Sequence, residues 1–326
     1  MRTLFGTPNK VIFCKICVSS NQRPCSTLEY EHNFKRTNAK YLNIENDGIC
    51  DACKYSQKKE NIINWNCREK QLIRLLDKYR KSNGDYDCLV PGSGGKDSVF
   101  ASHILKHKYG MNPLTTTWPP ILYTDYGYQN FLNWLNKGGF DNVTFRPNGD
   151  VMRKLTKLSI ENLMHPFQTF ILGQKNLAPK IAKNYGIDLI FYGESEAEYG
   201  NPIAETSLSL RNKQYYTYRN LDKILLAGLS LKELKDKHKI SLNDVSCFLP
   251  ISLEELNKTK ISVHYLGYYL KWVPQEIYYY ATDKVGLKAR PFRTQGTYQK
   301  YASIDDKIDD LHYYTTYIKY GLGRAT

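Results

Sequence analysis

The sequence predicts an α/β protein built on a parallel, doubly wound sheet, with a small metal-binding module in front and a mostly helical region behind. Three observations carry this. From residue 67 to residue 192, short apolar runs alternate with amphipathic stretches of helical period. A glycine-rich turn, Pro91-Gly-Ser-Gly-Gly-Lys-Asp-Ser98, lies between the clearest strand and the clearest helix. Six of the eight cysteines fall within the first 67 residues, four of them as two CxxC pairs.

At 326 residues the chain is long enough for two domains and a sizeable core. With 41% hydrophobic and 24% charged residues it has ordinary globular composition, which excludes long disorder. No apolar run reaches the roughly 18 residues of a membrane helix, and Met1–Pro8 lacks the apolar core of a secretion signal. The expectation is a cytoplasmic protein with no membrane partner. A net charge of +14 favours anionic partners such as nucleotides, sugar nucleotides or nucleic acid. A lysine-rich solubilising surface would give the same number.

The cysteine-rich module spans 1–66. After it, Leu72, Leu75, Leu76 and Tyr79 recur with helical spacing, and Ser82-Asn-Gly84 ends that helix. The strand Tyr86–Val90, the glycine turn and a helix over Lys96–Tyr109 follow, the helix carrying Phe100, Ile104 and Leu105 on one side. The alternation continues through a strand at Leu114–Trp118, a helix at Gln129–Asn136 and a strand at Val143–Phe145. Helices at Val151–Leu163 and Gln174–Tyr185 and a buried-type strand at Ile187–Tyr192 complete it. Beyond Asn201 the rhythm fades into a region dense in Tyr, Trp and Lys, with a helix expected over Leu221–Lys239. The predicted domains are therefore 1–66, 67–202 and 203–326.

Cys14-Lys-Ile-Cys17 and Cys50-Asp-Ala-Cys53 are two knuckles separated by 32 residues. Each turns two thiolates toward one ion, and together they predict a closed four-cysteine structural zinc site, with a redox pair as the lesser reading. The excess spacing lies in the polar stretch Gln22–Lys40, an inserted loop. A closed site leaves no position for substrate. Cys25 and Cys67 are spare thiols.

The glycine turn is neither a Walker A loop, since Val90 and Asp97 stand where Gly and Ser/Thr are needed, nor a dinucleotide fingerprint, whose third glycine would fall on Asp97. Ser93-Gly-Gly-Lys-Asp-Ser98 instead resembles the pyrophosphate-binding loop of the ATP-pyrophosphatase (PP-loop) family. Gly94 and Gly95 let backbone N–H groups approach phosphate, and the helix N-terminus adds positive potential. Ser93 and Ser98 offer hydroxyls, Lys96 a cation, and Asp97 a carboxylate for Mg²⁺ on the phosphates of ATP. A plain turn with a capping Asp is the structural alternative. The resemblance implies adenylation of a carbonyl or carboxyl oxygen, followed by displacement of AMP by a nitrogen or sulfur nucleophile.

A CxxC pair ahead of such a loop resembles the N-acetyl sugar amidotransferases of bacterial surface-polysaccharide and nonulosonic-acid pathways, in particular their pseudaminic-acid-type branch. Segments carrying the likeness are Tyr123-Thr-Asp-Tyr-Gly127, His165-Pro-Phe-Gln168 and Leu172-Gly-Gln-Lys175. Others are Tyr192–Pro202, Tyr269-Leu-Lys-Trp272, Pro274-Gln-Glu276, Ser303-Ile-Asp-Asp-Lys307, Asp309–Tyr314 and Gly321–Thr326. Family members continue past this point, which implies a shortened C-terminus here. The resemblance implies that ATP adenylates the N-acetyl oxygen of a nucleotide-activated diacetamido sugar, and that ammonia then converts acetamido to acetamidino. No cysteine stands in a glutaminase setting, neither Cys88, nor Cys247, nor residue 2 (Arg2), so ammonia is expected from a separate glutaminase.

Further candidates follow from position. Glu194, Glu196 and Glu198 come after the last strand, at the carboxyl edge where open α/β sheets bind ligands, and would hold Mg²⁺ or orient ammonia; a solvated acidic loop is the alternative. Asp125, His165 and Gln168 are candidate substrate contacts. Lys271, Trp272 and Arg290 are candidates for the sugar nucleotide, Trp272 by stacking, against ordinary core or surface roles. Asp305, Asp306 and Lys307 have no mechanistic role at this level. Two rival readings are a tRNA-thiolating PP-loop enzyme, for which this chain has few thiols beyond the loop, and a non-catalytic zinc-ribbon adaptor. The favoured reading expects no nucleic-acid partner.

Overall fold

The computed structural model describes residues 7–33, 40–194, 201, 207–294 and 297–320. Along its central strands the side chains alternate. Leu89 and Ile190 enter one core, while Cys88, Val90, Leu189 and Phe191 enter another, so both faces of the sheet need helical cover. The sheet has five strands: β1 (Cys88–Pro91), β2 (Pro113–Thr117), β3 (Asn142–Thr144), β4 (Leu189–Tyr192) and β5 (Ser262–Tyr265). Their order is β3-β2-β1-β4-β5, and every neighbouring pair is parallel.

Helices α1 (Asp51–Asn61) and α2 (Trp65–Tyr79) precede β1, and α3 (Lys96–His107), α4 (Asp125–Gly138), α5 (Gly149–Leu163) and α6 (Gln168–Asn184) connect the strands. One face of the sheet is covered by α5 and α6 through Met152, Leu155, Leu172 and Ala178. The other is covered by α2 and α3 through Leu72, Leu76, Ala101 and Leu105. The longer helices that follow are α7 (Leu231–His238), α8 (Pro274–Val285) and α9 (Asp309–Tyr320). A third apolar cluster of Val99, Phe131, Trp134, Ala281 and Val285 locks α3, α4 and α8 together. The fully buried Trp134 indole is satisfied there by Ser102 Oγ at 2.8 Å.

The expected α/β architecture is present, with two differences. The helix expected over Leu221–Lys239 is a 3₁₀ turn at Leu221–Lys223, a hairpin of Leu225–Leu226 with Leu229–Ser230, and only then α7. Ala227 and Gly228 both adopt positive φ in the turn, and the Ala227 N–H donates to the Gln168 side chain at 2.8 Å. Ser230 then opens α7 with a reciprocal capping box to Glu233. Tertiary contacts and cap chemistry override helical propensity here. In addition, β5 and α8 come from the region expected to form a separate helical part, so the boundary drawn at 202/203 separates two paired strands of one sheet.

Candidate active site

The strand order reverses between β1 and β4, the place where open α/β sheets form a crevice at their carboxyl ends. Two segments meet there: the loop 92–95 leaving β1, and Gly193–Glu194 leaving β4. A Cβ on Gly193 would lie 3.3 Å from Asp97 Cβ and 2.8 Å from the Trp272 ring, so the end of β4 presses directly on the start of α3.

Within the loop, each glycine has its own reason. Gly94 has φ +89°, and a Cβ there would lie 2.6 Å from the Phe131 backbone, so both conformation and the approach of α4 require glycine. At Gly95, the N-cap of α3, a Cβ would meet nothing nearer than Ser93 Oγ at 3.9 Å. Space is left open over the N-terminus of a twelve-residue helix, where backbone N–H groups and the helix dipole favour an anion. Ser98 Oγ accepts from Gly94 N at 3.2 Å and donates to Gly95 O at 3.0 Å, which holds the loop shape. Lys96 is buried and its ammonium reaches both Asp97 carboxylate oxygens at 2.7 Å. The Trp272 indole N–H also donates to Asp97, at 3.2 Å.

A contact that the sequence did not reveal closes the loop from above. Ser93 Oγ donates to the Asp305 carboxylate. Burial raises the Asp305 pKa, the Ser93 hydrogen bond opposes that, and the Asp97 charge adds to it. The next residue, Asp306, accepts from Ile121 N at 2.5 Å and Leu122 N at 3.3 Å, while Lys307 N donates to Leu122 O at 2.8 Å. The 303–307 segment thus lies as a strap across the β2–α4 connection and onto the glycine loop. Gly127 is close-packed beneath it, where a Cβ would lie 2.5 Å from Asp305 Cα. The available signal was the polar run Ser303–Lys307, but pairing it with Ser93 requires the fold.

Beside the loop lies an open cleft of about 590 Å³ whose lining includes Gln275, Tyr278, Tyr298, Lys300 and Tyr301. Tyr278 and Tyr301 stack at 4.4 Å, and the Tyr301 hydroxyl donates to Gln275 at 3.0 Å. Burial pushes the Tyr301 phenol up, with Lys96 opposing and Asp97 adding, so the cleft is within electrostatic reach of the loop.

The other predicted residues divide. Glu194 directly follows Gly193 at the crevice, and Asp125 is exposed at the first turn of α4. Glu196 and Glu198 lie outside the described residues. Trp272 is fully buried, edge-on to Phe100, with no face for a stacked base, so the stacking role is replaced by a core role with one polar tether to Asp97. Gln168 is also fully buried, its amide spent on Glu29 O, Leu225 O and Ala227 N, so that it braces the fold. Arg290 is buried in a two-pronged pair with Asp310 at 3.1 and 3.3 Å and stacks over Phe292, which occupies its guanidinium. Lys271 makes a surface ion pair with Glu60 at 2.6 Å. His165 is buried beside Glu29.

The four predicted cysteine ligands converge. Cys14 and Cys53 Sγ lie 3.9 Å apart and Cys17 and Cys50 Sγ 3.6 Å apart, close to the about 3.8 Å expected around one tetrahedral ion with Zn–S bonds near 2.3 Å. Ile16 N and Cys50 N each point at Cys14 Sγ at 3.4 Å, which favours the thiolate. The donor set fits a structural metal ion; Cys25 and Cys67 stand outside it.

Among the described residues no helix is long and apolar enough to cross a membrane. No family model matches the chain. Over 79 residues it is 37% identical to an uncharacterized protein of Methanocaldococcus jannaschii, covering 23% of this chain and 26% of that protein, so it spans about a quarter of its relative's length. Among solved structures, NMN synthetase from Francisella tularensis overlaps 68% of this chain and 87% of its own, at 14% identity and TM-score 0.29. NH3-dependent NAD synthetase from Campylobacter jejuni overlaps 68% of this chain and 94% of its own, at 11% identity and TM-score 0.32. The U34-tRNA thiolase of Methanococcus maripaludis with its 4Fe-4S cluster overlaps 98% of this chain and 84% of its own, at 12% identity and TM-score 0.34. At such scores the overlap says nothing about activity.

Proposed function

We propose that this chain is a PP-loop, AMP-forming amidotransferase: it uses ATP to adenylate the N-acetyl oxygen of a nucleotide-activated diacetamido sugar, and ammonia from a separate glutaminase then displaces AMP. The observation that carries this reading is the Ser93–Ser98 loop at the strand-order reversal, with an open position over Gly95 at a helix N-terminus and a buried lysine beside it. Backbone N–H groups of the loop would bind the outer phosphates. Lys96, now resting on Asp97, would turn to the departing pyrophosphate and stabilise its charge. That release would leave Asp97, with Glu194 after β4 as a second candidate, to hold Mg²⁺ on the phosphates. The tyrosine-lined cleft beside the loop supplies stacking surfaces for the sugar nucleotide, a role that Trp272 does not fill.

An amide oxygen leaves only once it carries an adenylyl group, and holding ATP, amide and ammonia in line is chiefly a matter of positioning. In the proposed sequence the amide oxygen attacks the α-phosphorus and pyrophosphate departs. Ammonia adds to the activated carbon, a proton is lost, and AMP leaves with the former amide oxygen. The four-cysteine site would brace the N-terminal module and take no part in the chemistry.

The test is incubation with ATP, Mg²⁺, ammonium and UDP- or CMP-linked diacetamido sugars, read by mass spectrometry for replacement of oxygen by NH together with AMP and pyrophosphate. Conversion of a sugar supports the reading. Turnover only with tRNA, and tRNA binding with a steep salt dependence, would put thiolation in its place.

A further inference from the structure

A second cluster of metal-ligating side chains lies away from the four cysteines. Glu29 opens a short 3₁₀ turn, Glu29–Glu31, and His32 follows it; His165 stands in the connection before α6. His32 Nδ1 is 3.7 Å and His165 Nε2 3.6 Å from the same oxygen, Glu29 Oε2, and the three ligand atoms all lie within 4.8 Å of one another. Both histidines are 8% exposed. These separations are too long for hydrogen bonds, and Glu29 Oε2 and His165 Nδ1 are buried without one. They approach the roughly 3.3 Å between ligands on a tetrahedral ion with bonds near 2.0–2.1 Å.

The surroundings orient the set. Thr27 Oγ1 bonds His32 Nε2, and Nδ1 is the ring atom turned toward Glu29, so the hydroxyl helps to orient the imidazole. Lys175 lies 3.5 Å from the other carboxylate oxygen, Glu29 Oε1, and the His312 ring stacks on His165 at 5.1 Å.

We propose that Glu29, His32 and His165 bind one divalent ion of the zinc class, separate from the four-cysteine site. Two imidazoles and a carboxylate suit Zn²⁺, Co²⁺ or Fe²⁺ and not Mg²⁺ or Ca²⁺, and three protein ligands leave a position for water. The ion clamps the N-terminal region to the sheet, because Glu29 and His32 belong to the first 66 residues while His165 precedes α6, which packs on β1, β2 and β4. The inference does not depend on the ATP reading.

The full chain, produced with zinc and washed against a weak chelator, is assayed for metal by mass spectrometry. Two equivalents of zinc are expected for the wild type, falling by one in Glu29→Gln and in His165→Gln, and by one in Cys17→Ser. Zinc-edge X-ray absorption of the wild type needs no variant to fold, and is expected to show nitrogen and oxygen neighbours alongside sulfur. A sulfur-only shell, or zinc content unchanged by Glu29→Gln and His165→Gln, overturns the proposal.

Discussion

Ser93 and Asp305, separated by 212 positions in the chain, are joined by a hydrogen bond from the serine hydroxyl to the carboxylate, and this contact fixes the strap 303–307 on the glycine loop. Hydrogen bonds to charged groups contribute about 1.5–3 kcal/mol, equivalent to about 10- to 100-fold in a rate or binding constant. Asp305→Ala is therefore expected to slow ATP-dependent pyrophosphate release by about that factor. Assay of pyrophosphate release at saturating ATP, with far-UV circular dichroism as a control for folding, checks it; an unchanged rate contradicts the role of the strap.

The loop glycines separate folding from binding. Gly94→Ala forces a side chain into positive φ and against the Phe131 backbone, so a loss of about 1–3 kcal/mol in urea-unfolding free energy is expected. Gly95→Ala meets open space and should alter stability by no more than about 0.5 kcal/mol, yet it fills the position proposed for phosphate and should abolish ATP binding by calorimetry. Unimpaired ATP binding in Gly95→Ala would place the phosphates elsewhere.

Trp272 is expected to matter through packing and through Asp97. Trp272→Ala should cost about 3–5 kcal/mol on denaturant unfolding. Trp272→Phe keeps most of the ring while removing the N–H that Asp97 accepts, so its effect should fall more on turnover than on stability. A Trp272→Phe protein with wild-type turnover would reduce Trp272 to a core residue alone.

Acid sensitivity follows from two histidines. Burial lowers the pKa of His264 from 6.5 to about 4, and burial with nearby cationic groups lowers His103 to about 4. Each binds a proton more readily when unfolded, so the stability it contributes is present above pH 6.5 and is lost progressively as pH falls from 6.5 to 4. For His264 the loss is on the order of 3 kcal/mol. Unfolding curves at pH 7 and pH 4.5 should converge less steeply in His264→Asn than in the wild type; identical pH slopes would contradict this.

How much of this was legible in the sequence depended on whether a feature was contiguous. Ser93–Ser98 and the two CxxC knuckles are local patterns whose chemistry dictates their spacing, and the structure brings each set together. β5 was hidden because Ser262-Val-His-Tyr265 is too short for a period and carries a buried histidine, which pairs with the Tyr269 hydroxyl at 2.9 Å once the strand turns into the following helix. Gln168, Trp272 and Arg290 looked like ligand contacts because polar and aromatic residues are ambiguous until burial is known; their partners, Ala227, Asp97 and Asp310, lie on other segments. The Glu29–His32–His165 cluster was invisible for the same reason, since His32 and His165 lie 133 positions apart.

The central claim concerns one oxygen atom. A diacetamido sugar nucleotide carrying ¹⁸O in its acetamido groups, turned over with ATP and ammonium, should yield AMP that has gained that ¹⁸O and a sugar in which NH replaces it. Unlabelled AMP, or ADP in place of AMP, would contradict adenylation of the amide by this protein.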